Sequence, residues 1–297
     1  MQNNSLSLIV PNYNYGIFIS ECLDSINDQT VMPDEIIVID DCSTDESVEI
    51  IKNYKTQNFK FIQNDKNLGI VNNFSKAVEQ ASCELVTIVA SDNTITPDFV
   101  EKFLEYSTQY PEYAIYYNDI ILFGPLARGL AKRVGAKDIG HNKYLWEFPE
   151  ATEKAIEGLK DTNFMNGTAM FRKTWYDKVG GFIESKTAED FDLFRRMVYA
   201  GGKPKHVPYA TLEYRQHSLD QANTAIELDI MNTELLERNA VLEAEIRRVD
   251  GILQVRDGEI NELKLERDKL NQKIQDIEHS ITWRIANKLK KILGKTP

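Results

Sequence analysis

The chain has no cysteine pair at metal-binding spacing, no glycine-rich phosphate loop and no long apolar run, and each absence narrows what it does. The three cysteines, Cys22, Cys42 and Cys83, are widely separated and odd in number. They predict reduced cytosolic thiols, not a disulfide framework or a zinc site. No apolar run approaches the roughly 20 residues that span a bilayer. The opening MQNNSLSLIVP has neither a basic n-region nor a long apolar core, so no signal peptide is expected. The expected location is the cytoplasm, with any membrane contact peripheral and on the inner face. Positive charge is scarce: 35 Lys and Arg stand against 46 Asp and Glu, a net charge of -11. That argues against a nucleic-acid partner. Proline is missing between Pro208 and Pro297, and Phe, Tyr and Trp are missing between Tyr214 and Trp283. These gaps divide the chain into an expected globular domain at 1–224, a helical rod at 225–281 and a tail at 282–297.

What is present is densest from Leu6 to Glu46. Two apolar β-type runs, Leu6–Val10 and Glu35–Ile39, each end in small polar residues. Between them Ile17, Cys22, Leu23 and Ile26 fall near one face of a helix. Strand, helix, strand predicts a βαβ unit and a parallel sheet. Ligands of such sheets bind beyond the carboxyl ends of the strands. Those ends are Pro11-Asn12-Tyr13-Asn14 and Asp40-Asp41-Cys42-Ser43. Tyr13 offers a ring to stack, Pro11 offers backbone groups, and Asp40 and Asp41 offer acceptors. That chemistry suits a nucleobase and ribose. No Gly-rich loop follows either strand, which excludes a dinucleotide fingerprint and a P-loop.

The segments VPNYNYGIFISECLDSINDQT and DEIIVIDDCSTDES resemble the opening of the family-2 glycosyltransferases, inverting enzymes of the GT-A fold that use nucleotide sugars. The similarity runs from about Leu6 to His217. It implies an α/β fold of GT-A, Rossmann-like type, a mostly parallel sheet flanked by helices. The resemblance also implies roles. Pro11, Tyr13 and Asp41 would hold the nucleotide, with Asp40 supporting the loop or reaching the ribose.

Further along, Ser43–Tyr54 reads as a helix capped by Ser43 or Thr44, and Phe59–Gln63 as a strand. The turn Asn67-Leu68-Gly69 lies beside the nucleotide in the family; equally it is a turn with Gly at positive φ. Asn73 either touches the nucleotide or starts the next helix. The strand Glu84–Ala90 ends in Ser91-Asp92-Asn93, where the family carries Asp-x-Asp. Ala90 takes the first acidic position. Asp92 remains to hold Mg²⁺ or Mn²⁺, with Ser91 at the nucleotide; one or two carboxylates suffice when phosphates and water complete the shell. The alternative for Asp92 is helix capping, a role Thr96 fills ahead of Pro97. Pro97–Tyr110 is expected to be helical, Ala114–Phe123 a strand, and Gly124–Leu159 irregular. Arg128, Lys132, Arg133 and Lys137 there face either an anionic or lipid-diphosphate acceptor or simply water.

The strand Asn166–Arg172 and the turn in Lys178–Phe182 frame an acceptor pocket in the family, which places Gly167 at the acceptor. Glu189-Asp190 opens a helix. An inverting transfer needs one carboxylate to take the acceptor proton. The family puts it at the second acid, here Asp190, with Glu189 on acceptor hydroxyls. The bland alternative is capping by Thr187, Glu189 and Asp190. After a strand at Lys205–Tyr214, Tyr214-Arg215-Gln216-His217 resembles the family's closing motif. It implies His217 at the metal or diphosphate and Arg215 neutralising the leaving group.

From Leu228 onward a heptad places Leu235, Leu242, Val249, Leu263, Leu270 and Ile277 at d, with Arg256 as an exception, and Ile246, Leu253, Ile260, Ile274 and Ile281 at a. Asn232, Asn239 and Arg267 occupy other a positions. A coiled coil of on the order of 80 Å is expected, favouring a homodimer; the alternative is one helix folded onto the globular domain. The end, SITWRIANKLKKILGKTP, interleaves Trp283, Ile285 and Leu289 with Arg284, Lys288 and Lys290, a basic amphipathic pattern suited to a membrane surface. The expected function is inverting glycosyl transfer from a nucleotide sugar, UDP foremost with dTDP or GDP possible, to a glycan or lipid-linked acceptor in surface-polysaccharide synthesis. Its rivals are a non-catalytic nucleotide-sugar scaffold, suggested by Ala90, and a nucleotidyltransferase, whose Gly-rich basic loop PNYNYG does not supply.

Overall fold

The apolar run that opens the chain becomes strand β1 (Leu6–Asn12), buried along its whole length. A run buried on both faces is what a central parallel strand requires. In the computed structural model, residues 4–217, 241–249 and 260–293 are described. Helix α1 (Gly16–Asn27) follows, then β2 (Glu35–Asp40), α2 (Ser47–Asn53), β3 (Phe59–Gln63), α3 (Ile70–Glu79) and β4 (Leu85–Ile88). The strands β3, β2, β1 and β4 lie side by side, all parallel. Their carboxyl ends therefore share one rim. Asn12 pairs with Asp40 in register, and the Ser91 N–H donates to the Pro11 carbonyl at 3.3 Å.

The rest of the sheet is mixed. A short β5 (Thr94–Ile95) precedes α4 (Phe99–Gln109) and β6 (Ile115–Phe123). Next come α5 (Ala127–Val134), β7 (Lys137–Gly140), β8 (Lys143–Trp146) and α6 (Glu153–Gly158). Finally β9 (Met170–Arg172), α7 (Lys173–Lys178), α8 (Glu189–Tyr199) and β10 (Pro204–Arg215) complete the unit. The order is β3-β2-β1-β4-β9-β6-β10-β5, with β8 on β6 and β7 on β8. β9 runs antiparallel to both β4 and β6, and β8 and β5 are antiparallel to their partners. The mostly parallel sheet expected from the first βαβ unit is thus corrected to a mixed one.

Several boundaries differ from expectation for local reasons. Ile17 is 62% exposed, and Ile19 takes its place beside Cys22, Leu23 and Ile26 on the buried face of α1. Ser43 does not cap α2; its hydroxyl donates to Asp40, and Asp45 accepts from the Ser47 N–H at 3.0 Å. Thr96 turns its hydroxyl onto Asp98 and lies outside α4. The irregular stretch expected over 124–159 contains α5, α6 and a hairpin. There Lys137 pairs with Glu147 at 2.5 Å, and Arg128, Lys132 and Arg133 of α5 are exposed.

One core face gathers Ile9, Ile37, Val86 and Ile88 of the sheet with Ala77 and Val78 of α3, Tyr176 of α7 and Leu193, Phe194 and Met197 of α8. The chain divides into two units, Met1–Gln216 and His217–Pro297. The expected boundary at 224 lies outside the described residues. In the second unit, residues 241–249 are helical, and α9 (Ile260–Leu293) runs unbroken past the expected boundary at 281. From 263 to 281 only Leu263, Arg267, Leu270, Ile274, Ile277 and Ile281 are shielded, which are the a and d positions of the heptad. The heptad residues at 228–239, 253 and 256 lie outside the described residues. Among those described, no helix is long and apolar enough to cross a membrane.

Candidate functional site

The loops that leave β1 and β2 are laced together. Asp40 is fully buried, and its Oδ2 accepts from Asn12 Nδ2 at 2.8 Å and from the Ser43 hydroxyl at 2.5 Å. Its Oδ1 accepts from the Ser43 N–H at 2.8 Å. A carboxylate so surrounded holds a loop; of the two roles open to Asp40, support is the one the geometry provides. The Asn14 N–H donates to the Ser43 hydroxyl, and Asn14 Oδ1 accepts from the Thr44 N–H. Asn14 and Cys42 both take positive φ, 58° and 65°. The result leaves the Tyr13 ring 39% exposed at the rim.

Asp41 is tied to the turn after β3. Its Oδ1 accepts from the Leu68 N–H and from Asn64 Nδ2, both at 2.8 Å, and its Oδ2 accepts from the Gly69 N–H at 2.9 Å. Asn67 closes the same turn, its Oδ1 accepting from the Gly69 N–H. A carboxylate offers about four acceptor positions, so three bonds leave one for a ligand N–H. Asn64, absent from the sequence reading, is the hub: it also donates to Asn73 Oδ1 at 2.8 Å and accepts from Lys76 Nζ at 2.7 Å. The signal was available, since Asn12 and Asp40 close their parallel strands and Asn64 directly follows the third.

At the end of β4, Ser91 and Asp92 are buried. Asn12 Oδ1 and the Ser91 hydroxyl are buried without a protein hydrogen-bond partner. Orphaned polar atoms at a rim that strand topology already marks for ligands fit a polar ligand completing them. Among the described residues no group of three or more His, Cys, Asp or Glu side chains is gathered for a metal. Asp92 alone offers one hard carboxylate, a donor set that suits Mg²⁺ or Mn²⁺ only where phosphate oxygens and water supply the rest. His217 is buried and opens the second unit. Arg215 is engaged at the Asp92 turn. Its Nε donates to the Asp92 carbonyl at 2.7 Å and its guanidinium pairs with Glu21 at 2.5 Å. These contacts hold the guanidinium beside the Asp92 turn.

The second cluster forms at α8. Thr187 does not cap this helix; no side chain does, and Thr187 Oγ1 lies 3.0 Å from the Ser185 hydroxyl. Asp190 Oδ1 accepts from the Phe191 N–H at 2.7 Å. Its Oδ2 faces Gly167: a Cβ placed there would lie 3.1 Å from it. Burial first, then the charge of Glu189, pushes the Asp190 carboxyl from 3.8 up to about 6. Gly167 itself is exposed, and Asp190 is half-buried beside it. The loop carrying Gly167 is anchored on both sides. Asn166 Nδ2 donates to the Asn118 carbonyl at 2.7 Å, and the Thr87 hydroxyl of β4 donates to the Thr168 carbonyl at 2.7 Å. Thr87 thereby links the Asp190 cluster to the strand that ends in Asp92. Arg196 braces the helix, donating to Asp192, to the Val179 carbonyl and to the Gly181 carbonyl. The Gly180-Gly181 pair is a turn at positive φ held by that arginine.

Residues 7–180, more than half the chain, match the model of Glycosyl transferase family 2. The chain belongs to this family. It is 26% identical over 218 residues to the O-antigen chain rhamnosyltransferase RfbN of Salmonella typhimurium, an overlap of 70% of this chain and 66% of that one. It is 39% identical over 107 residues to EpsH of Bacillus subtilis, covering 35% of this chain. The chain thus spans 66% of the length of RfbN and 30% of EpsH. Among solved structures it is similar to Staphylococcus aureus TarS 1-349 in complex with UDP-GlcNAc, with a TM-score of 0.57, 21% identity and 93% of this chain and 73% of that one covered. It is also similar to the mannosyltransferase PcManGT of Pyrobaculum calidifontis in complex with GDP-Man and Mn²⁺, with a TM-score of 0.53, 15% identity and coverage of 82% and 65%. At these identities the structural likeness speaks to the fold, which matches the GT-A type.

Proposed function

We propose that this family-2 chain is an inverting glycosyltransferase acting in bacterial surface-polysaccharide synthesis. It would move a sugar from a nucleoside diphosphate, UDP foremost with dTDP and GDP as alternatives, to a hydroxyl of a glycan or lipid-linked acceptor. The supporting observation is the Asp190 carboxyl, raised to about 6 and set directly against Gly167. A base at that value is ionised at neutral pH and still takes a proton readily.

In this reading Tyr13 flanks the base, the remaining acceptor position of Asp41 takes a base N–H, and Pro11, Asn67 and Ser91 line the nucleotide. Asp190 Oδ2 removes the acceptor hydroxyl proton as that oxygen bonds to the anomeric carbon. The bond to the diphosphate breaks on the opposite side, which inverts the carbon. Gly167 admits the acceptor, and Glu189 orients it. Asp92 would hold Mg²⁺ or Mn²⁺, which would supply charge compensation to the departing diphosphate. The heptad of the second unit would pair two copies, and the basic segment after 282 would rest on an anionic membrane.

Incubation with UDP-, dTDP- and GDP-sugars plus Mn²⁺ tests the proposal. Release of nucleoside diphosphate from one of them is expected, with a matching thermal shift. A second reading, a nucleotide-sugar-binding scaffold, is favoured by Ala90 alone. A donor that binds but is never turned over, with any acceptor, selects it.

A further inference from the structure

Three residues on one face of α1, Phe18, Glu21 and Cys22, stand against the turn that carries Asp92. The Cys22 thiol donates to the Ala90 carbonyl at 3.8 Å. Burial, with the charge of Asp92 next, pushes that thiol's pKa up, and Arg215 and Glu21 act on it too. The Arg215 N–H donates to Asn93 Oδ1 at 2.9 Å, and Arg215 Nε to the Asp92 carbonyl at 2.7 Å. The guanidinium lies between two rings, 4.8 Å from the centroid of Phe18 and 4.4 Å from that of Phe123. Glu21 accepts from its free edge at 2.5 Å. The Asp92 turn is therefore gripped through its backbone, and the gripping arginine is fixed on both faces and at its edge.

We infer that Glu21 and Arg215 are positioning residues for Asp92, acting through the backbone of the turn, and that Glu21 sets the metal affinity of a carboxylate it does not touch. This rests on the reading of Asp92 as a metal ligand. A planar guanidinium held between rings keeps one orientation, which an ammonium cannot reproduce. The Glu21 side chain is 57% exposed, so its pair with Arg215 adds little to overall stability. Its loss registers in the aim of Asp92, and groups that orient metal ligands typically change affinity 10–100-fold.

The test is calorimetric titration of Mn²⁺ into the full chain saturated with UDP, repeated with GDP and dTDP. Glu21→Gln is expected to weaken Mn²⁺ binding about tenfold, with UDP affinity in the absence of metal and the melting temperature unchanged. Arg215→Lys is expected to weaken it at least as much, and the double variant no further than Arg215→Lys alone. Wild-type Mn²⁺ affinity in Glu21→Gln overturns the inference while leaving the metal reading intact. So does a loss of metal-free UDP affinity in Arg215→Lys, which would put the guanidinium on the diphosphate. A wild-type chain that binds UDP but no Mn²⁺ overturns the metal reading itself, and the inference with it.

Discussion

Gly167 and Asp190, 23 residues apart in the sequence (190 − 167), meet in the fold: a Cβ on Gly167 would sit 3.1 Å from Asp190 Oδ2. In the proposed mechanism the side chain that is missing is the space through which a hydroxyl would reach the base. Gly167→Ala therefore puts a methyl group against the carboxylate. Transfer is expected to fall by up to about 10²-fold, the cost of misplacing a reacting group by an ångström. Donor binding should survive. Comparing transfer rate with nucleotide affinity in this variant checks the point.

Asp190 also sets the expected pH dependence. Its carboxyl is raised to about 6, so the rate should climb as pH passes that value and level off above it. Asp190→Asn should lower turnover by roughly 10²–10⁴-fold while nucleotide binding persists. A flat profile between pH 5 and 7.5 would contradict the assignment.

The same shift has a consequence for stability. The folded value lies above the unfolded 3.8, so the fold favours the protonated form. This group's contribution is full below 3.8 and is lost as pH rises to about 6. Asp190→Asn should therefore stabilise the protein at pH 7.5 by on the order of 1–3 kcal/mol. At pH 4 the gain should nearly vanish. Thermal unfolding at the two values measures it.

Asn64→Ala should strip one partner from Asp41 and another from Asn73. Leaving buried polar groups unmatched costs about 1–3 kcal/mol each. Nucleotide affinity should fall with stability, because Asp41 loses part of what aims it. Unfolding in urea and nucleotide titration on the same variant report the two effects.

A buried histidine supplies a prediction away from the site. His206 Nε2 lies 2.9 Å from Asp119 and Nδ1 3.4 Å from Glu150, with the Tyr117 ring stacked beside it. Burial pulls its pKa down, but the hydrogen bonds and charges of Asp119 and Glu150 outweigh that and raise it above 6.5. The stabilisation is full below 6.5 and is lost as pH rises through the higher folded value. Asp119→Asn should flatten this dependence, read as melting temperature against pH from 6 to 9.

The sequence showed the parallel half of the sheet clearly, because Leu6–Val10 and Glu35–Ile39 are apolar runs closed by polar residues at the ligand rim. In the mixed half β6, β9 and β10 were read as strands, but their pairing directions were hidden. β5 is too short to carry a period, and β7 and β8 form a hairpin in a stretch rich in charge. Asp190 was read from a motif that capping would also explain, and in the structure its Oδ1 accepts from the first-turn Phe191 N–H while its Oδ2 faces Gly167. Arg215 was read only as neutralising the leaving group, because sequence gives no sign that Glu21, Phe18 and Phe123 converge on it. Such contacts are made by residues far apart in the chain, and no local pattern announces them.

The most direct measurement is a crystal structure of the chain with Mn²⁺ and whichever of the UDP-, dTDP- or GDP-sugars gives the largest thermal shift. The account expects the base against Tyr13, the diphosphate at Asp92 and the anomeric carbon facing Asp190 across the gap at Gly167. A nucleotide bound at another surface, or a sugar whose anomeric carbon is turned away from Asp190, would contradict it.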